Sequence, residues 1–111
     1  QPQPSSLADV VTMSCPGFVE PLLTSSWFRL SVRDRPIEVP AICKCALRLT
    51  MLDTALSSMW QLNYAEVNRR MQADPPRQAY FISRALQSTM SCFNDELKSR
   101  LDESRKKNFG G

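Results

Sequence analysis

Apolar residues recur every three or four positions through the middle of the chain. The clearest series consists of Ile42, Cys45, Leu49, Leu52, Leu56 and Met59. Its spacings of 3, 4, 3, 4 and 3 residues are typical of one helix face that packs against another helix. Pro40 stands just before the series, and proline is well tolerated at a helix start. The pattern therefore predicts a long helix over residues 41–60.

A second apolar series runs through the last third of the chain. Its members are Ile82, Leu86, Met90, Phe93, Leu97 and Leu101. The spacings of 4, 4, 3, 4 and 4 residues predict a helix over residues 77–106 whose leucine-bearing side packs against the first long helix. Acidic residues four positions before basic ones, such as Glu96 before Arg100, stabilise its exposed end.

A shorter helix is predicted over residues 64–72. Asn63 followed by Glu66 is typical of a capped helix start, and the prolines at 75 and 76 end the helix. Its inward positions are Tyr64, Val67 and Met71. Because the connections to both long helices are short, neighbouring helices must lie roughly antiparallel.

The amino-terminal forty residues predict smaller pieces. A short helix over 7–14 is expected to end at Pro16-Gly17, and a second short helix follows over 18–23. Residues 27–32 favour an extended or helical packing segment over a lone strand, which would lack a partner. We expect an all-α bundle of four to five helices. Residues 1–4 would be a flexible lead-in, residues 5–106 a single helical domain and residues 107–111 a flexible tail.

Composition narrows the function classes. The 111 residues are 42% hydrophobic and 23% charged, as in an ordinary single globular domain. No apolar run approaches the roughly 18 to 20 residues that cross a bilayer, so we expect no membrane partner. The chain has no His, which excludes His-based triads and His-ligated metals. We therefore expect a non-enzymatic domain without a cofactor or a metal.

The four cysteines leave alternatives open. Two disulfides in any of three pairings are allowed. Cys43 and Cys45 are two positions apart, so on a helix they point to different sides and form a poor chelate. Reduced, partly buried thiols are the expected state, since free cysteine is often buried.

Residues 69–84 carry the strongest candidate for a functional surface. Four arginines stand there against one aspartate, although the net charge of the whole chain, +3, is too small to drive tight nucleic-acid binding. Tyr80 and Phe81 are adjacent, so only one of them can point at the core. Exposed aromatic residues beside arginine are typical of protein interfaces and of single-strand nucleic-acid platforms; core packing of both rings is the alternative. Trp27 and Phe28 form a second aromatic candidate.

We interpret the chain as an adaptor, scaffold or regulatory interaction domain of a larger intracellular protein, cytoplasmic or nuclear. It would bind a partner helix or peptide through an apolar groove with an Arg-rich rim, or a second copy of itself if a long apolar stripe stays uncovered. The predicted contact residues are Trp27, Phe28, Arg69, Arg70, Arg77, Tyr80, Phe81 and Arg84. The chain starts with Gln1 rather than Met. We expect a domain cut from a larger protein, and a chain from which a signal peptide was removed is the alternative. The alternatives are a secreted four-helix ligand of cytokine type with two disulfides, and an RNA-binding helical module that uses residues 69–84.

Overall fold

The computed structural model describes residues 3–24 and 37–108. Within these ranges the chain forms four α-helices and one 3-10 helix, and no strand. The α-helices are α1, Leu7–Leu23; α2, Val39–Met51; α3, Tyr64–Ala73; and α4, Pro75–Asn108. The 3-10 helix, Thr54–Met59, connects α2 to α3. The predicted all-α class is confirmed. None of the helices in the described ranges is both long and apolar enough to cross a membrane.

α1 is one helix, so the expected break at Pro16-Gly17 is wrong. Its buried positions are Leu7, Val11, Cys15 and Val19. This four-residue spacing continues across the proline without a shift, and packing on both sides of Pro16 outweighs the backbone hydrogen bond that proline removes. Ser6 caps the start, since its side chain accepts a hydrogen bond from the Asp9 amide at 3.4 Å.

The predicted helix over residues 41–60 is two elements. α2 ends at Met51, and Asp53 then caps the 3-10 helix by accepting a hydrogen bond from the Ala55 amide at 2.9 Å. An aspartate that binds a nearby amide competes with continuation of the helix. Leu56, a member of the predicted face, still reaches the core and is fully buried, whereas Leu52 at the corner is 71% exposed.

α3 and the start of α4 follow the local signals. The Asn63 side chain accepts a hydrogen bond from the Glu66 amide at 2.9 Å, as the predicted cap requires. Val67 and Met71 are buried. A single residue, Asp74, separates α3 from α4, which begins at Pro75. Proline is tolerated there because the first turn of a helix does not use the N–H that proline lacks.

The core has two parts. The first core cluster comprises Cys15, Val19, Ile37, Ile42, Cys43, Ala46, Cys92 and Phe93. The second core cluster comprises Leu7, Val11, Leu56, Met59, Val67, Met71 and Phe81. α1 and α4 both run from the second cluster to the first, so they point in the same direction. α2 runs the opposite way and packs against both of them.

Both disulfides start from α2, so the expectation of reduced thiols is wrong. Cys43 is bonded to Cys15 of α1, with 5.7 Å between their Cα atoms, and Cys45 is bonded to Cys92 of α4, with 6.0 Å between theirs. Two residues that are two positions apart point to different sides of a helix. The geometry that disfavours a chelate therefore suits two bonds to two different neighbours.

α4 turns a different face to the core from the predicted one. Its buried positions are Phe81, Ser88, Thr89, Cys92 and Phe93. Two of these are hydroxyl residues, and Thr89 satisfies its hydroxyl by donating to the Ala85 carbonyl at 2.9 Å. The disulfide at Cys92 and the buried Phe81 ring set the rotation of the helix.

The predicted α4 seam is therefore wrong at most of its positions. Phe93 is buried and Leu97 is half-buried. The remaining members are exposed, with exposed fractions of 49% at Ile82, 41% at Leu86, 44% at Met90 and 37% at Leu101. α4 thus carries two apolar stripes, and only one of them faces the bundle.

Candidate functional site

An apolar groove of about 230 Å³ separates α1 from α4. We call it the α1–α4 groove. Its α1 wall consists of Val10, Val11, Ser14, Cys15 and Phe18, and its α4 wall of Phe81, Ile82, Ala85, Leu86 and Thr89. Phe81, Val11 and Cys15 are buried and form the floor. Ile82, Leu86 and Phe18 are 38–49% exposed and form the edges.

The walls of the α1–α4 groove carry no charge. Residues 10–19 of α1 and residues 85–94 of α4 are ten-residue runs without an acidic or basic side chain. Leu22 continues the α1 edge and Met90 continues the α4 edge, at 37% and 44% exposure. A contiguous apolar surface of this kind is typical of a contact site for another chain.

The disulfides explain why the groove stays open. Each one ties an outer helix to α2, and neither joins α1 to α4. α1 and α4 accordingly contact α2 more than they contact each other. The outer helices are held at fixed positions on either side of α2, with a gap between them.

A wider depression of about 660 Å³ lies between α1 and α2. Its lining includes the charged residues Glu38 and Lys44 beside Pro16, Pro40 and Leu47. It lacks the uncharged walls of the α1–α4 groove, so the latter is the better candidate for an apolar contact.

Two of the predicted arginines of residues 69–84 bind one carboxylate. Arg69 donates from Nε to Glu66 at 3.1 Å, and Arg70 donates from Nε to the same carboxylate at 2.9 Å. These hydrogen bonds lower the pKa of Glu66 to about 2. The two cations therefore lie on the surface of α3 beside a neighbour of opposite sign that is ionised at neutral pH.

The remaining predicted arginines are also paired. Arg77 lies 3.5 Å from Asp74, and Arg84 lies 2.7 Å from the Oδ2 atom of Asp53. All four arginines thus have an acidic partner, and the local excess of positive charge is smaller than the sequence indicates.

Tyr80 belongs to the same contact as Arg84. Its hydroxyl donates a hydrogen bond to Asp53. This bond is the main reason that the pKa of Asp53 lies below its ordinary value, with the Ala55 amide and Arg84 adding to the effect. The pKa of Tyr80 is raised, again chiefly by the bond to Asp53. We call this cluster the Asp53 latch, because it fixes the 3-10 helix to α4.

The aromatic candidates differ in exposure, and only two of the four lie within the described residues. Tyr80 is 41% exposed and Phe81 is 8% exposed, which confirms that only one ring of the pair points at the core. Phe81 can meet a partner only from the groove floor. Trp27 and Phe28 lie outside the described residues.

The sequence pattern did not predict the edges of the α1–α4 groove as site residues. The signal for α4 was present, since Ile82, Leu86 and Met90 were recognised as a packing stripe, but the stripe was assigned to the core. For α1, Phe18 and Leu22 were placed in a separate short helix. A continuous α1 puts Phe18 on the edge of the groove and Leu22 about one turn further along the helix.

Comparisons of the chain with known protein families, with curated proteins and with solved structures found no match. Among the described residues, no group of acidic and cysteine side chains is arranged to hold a metal ion.

Proposed function

We propose that this chain is a non-enzymatic protein-binding domain that holds an apolar helix in the α1–α4 groove. The observation that carries the proposal is the second apolar stripe of α4, which has helix-packing spacing but remains exposed beside the apolar edge of α1. An amphipathic helix in an apolar groove is a recurrent mode of recognition, with anchors spaced three or four residues apart.

The free energy available from burial in the groove sets a minimum length for the partner helix. Full burial of a large apolar side chain yields about 1.5–3 kcal/mol, so the half-exposed edges have about 1 kcal/mol each left to gain. Association itself costs several kcal/mol. A partner must therefore cover most of the stripe at once, which requires a helix of about three turns or more.

The two disulfides support a place in an oxidising compartment, as in the secreted alternative. Structural disulfides persist outside the cell and in the secretory pathway and are rare in the cytosol. We propose secretion as the setting of this domain, and a secreted helical ligand is one form that it can take. Intact mass before and after alkylation under denaturing, non-reducing conditions tests this. Alkylation of four thiols would overturn the proposal, whereas the absence of any alkylated thiol would support it.

The RNA-binding alternative has less support. Sequence-independent binding to RNA needs cations that can neutralise phosphates, but Arg69, Arg70, Arg77 and Arg84 each have a carboxylate within 4 Å. Because these ion pairs engage all four arginines, the proposed binding site does not include the Arg-rich rim that was predicted from the sequence. Retention of RNA at low salt that is lost on Arg69→Ala would favour the alternative.

Selection of helical peptides against the oxidised domain tests the groove. Leu86→Glu places a charge on the groove edge, and Leu52→Glu places the same charge at an exposed apolar site that does not line the groove. We expect selected peptides to lose at least ten-fold in affinity on Leu86→Glu and less than two-fold on Leu52→Glu. Peptides that tolerate Leu86→Glu but lose affinity on Arg77→Ala would contradict the proposal.

A further inference from the structure

We infer that the helix held in the α1–α4 groove is α4 of a second copy of this chain. This inference rests on the proposed function of the groove and names its occupant. The two copies would be related by a two-fold axis, with their α4 helices antiparallel and the exposed stripe of each seated in the groove of the other.

The exposed stripe of α4 is longer than the bundle beneath it. Ile82 and Leu101 are nineteen residues apart, which is about 29 Å along a helix. Leu97 is the last apolar residue of α4 that packs against either core cluster. Leu101 lies beyond that residue and is 37% exposed. An antiparallel second copy centred near the middle of the stripe would cover it.

One face of the molecule holds both halves of the contact. The exposed stripe of α4 forms one edge of the groove that would receive the exposed stripe of the second copy. A two-fold interface requires that the same patch serve both partners. It also requires that no like charges meet at the axis, and both groove walls are uncharged over ten residues. Homodimer interfaces are more apolar and poorer in charge than other interfaces.

The size of the face is of the right order. Two adjacent helices are about 20 Å wide, so a stripe of about 29 Å gives a flat footprint of at most about 600 Å². Stable interfaces bury about 800 Å² on each partner, and interdigitated side chains bury more than their flat projection. The groove volume of about 230 Å³ suits a row of side chains rather than a folded segment.

The charge distribution selects the antiparallel arrangement. α1 carries Asp9 and Glu20 and no basic residue. Residues 98–106 of α4, beyond the core, carry four basic and two acidic side chains, a net charge of +2. An antiparallel partner brings this basic end toward the start of α1 in the other copy. A parallel partner would place the two basic ends side by side.

Met90 provides the sharpest test, because it lies near the middle of the stripe and would face its own counterpart across the axis. We expect sedimentation of the wild type to show a monomer–dimer equilibrium. Met90→Glu and Met90→Lys should each weaken the dimer at least ten-fold. An equimolar mixture of the two variants should restore it, since unlike charges then meet. Leu52→Glu is the matched control and should change the dimer constant less than two-fold.

Several results would overturn the inference. The wild type could stay monomeric up to millimolar concentration, Leu52→Glu could dissociate the dimer as strongly as Met90→Glu, or the mixture could remain monomeric. If a monomeric wild type still binds the selected peptides in a manner sensitive to Leu86→Glu, the proposed function stands and only the second copy is excluded. If the wild type is monomeric and the selected peptides also bind equally well to Leu86→Glu, both proposals are overturned.

Discussion

The two core clusters are held together by different means. The first cluster contains three half-cystines and receives both disulfides, so α1, α2 and α4 are joined covalently there. The second cluster contains no cysteine. It depends on buried side chains from four elements, α1, the 3-10 helix, α3 and α4. It also depends on the Asp53 latch, where one carboxylate accepts hydrogen bonds from the Ala55 amide and the Tyr80 hydroxyl and forms an ion pair with Arg84.

This difference shows how the chain divides its stabilisation. Cross-links act mainly by restricting the unfolded chain, and they fix where the helices lie without filling the space between them. Packing at the second cluster fixes the floor of the α1–α4 groove through Phe81. The groove extends across both clusters, so its position depends on the disulfides and its shape depends on the packing.

The largest effect is expected from removing a disulfide. Cys45→Ala with Cys92→Ala opens a loop with a sequence separation of 47 residues, and a cross-link of this length contributes about 4 kcal/mol to the free energy of unfolding. Urea denaturation of the oxidised proteins measures it. The shorter separation of 28 residues for Cys15 and Cys43 predicts a slightly smaller loss. If neither double variant changes the urea midpoint, the disulfides do not stabilise the first cluster as described.

Truncation in the second cluster should rank next. Leu56 is fully buried, so Leu56→Ala should lower the free energy of unfolding by about 3 kcal/mol through lost burial and a cavity. Leu52→Ala is the control, since the side chain is 71% exposed, and its expected effect is within about 0.5 kcal/mol. Similar losses for the two variants would show that the 3-10 helix does not pack as described.

Opening the Asp53 latch should have a smaller and more local effect. Asp53→Asn removes the ion pair with Arg84 and weakens the bond from Tyr80, so the 3-10 helix should separate from α4 more often. Hydrogen exchange of amides 54–59 should accelerate, while amides 42–46 of α2, held by the disulfides, should keep their rates. Asp74→Asn removes an exposed ion pair of the same kind and serves as the control. Equal acceleration in both segments would contradict the division into two parts.

The pH dependence of stability should be smaller still and has a defined sign. The pKa values of Asp53 and Glu66 are lowered in the folded state from their ordinary values of 3.8 and 4.5. Their contribution is thus present above those ordinary values and is lost as the pH falls through the lowered ones. The urea midpoint should fall between about pH 4 and pH 2, and Asp53→Asn with Glu66→Gln should flatten the fall. An unchanged slope in the double variant would exclude these two groups as its source.

Local signals predicted the helices well where the cause is local. Asn63 starts α3 because its side chain binds an amide three residues away, and Pro40 stands at the start of α2 because a first turn tolerates proline. Asp53 shows the limit of such reasoning. Its side chain could sit on a helix surface or cap a new element, and the choice depends on Tyr80 and Arg84, which are 27 and 31 positions away.

The candidate groove was only partly predictable for the same reason. The stripe of Ile82, Leu86 and Met90 was visible from its spacing, as was the stripe that contains Phe81 and Cys92. Spacing cannot tell which of two stripes on one helix faces inward, because the rotation of α4 is set by its disulfide to α2 and by the packing of Phe81.

The all-α class, the start of most helices and the burial of only one of Tyr80 and Phe81 can be predicted from the amino-acid sequence. Those features follow from interactions within about one helical turn. The cysteine pairing, the continuity of α1 through Pro16 and the face of α4 left open to a partner follow from tertiary packing. Each of these depends on contacts between residues far apart in the chain, whose distances are set only when the helices pack.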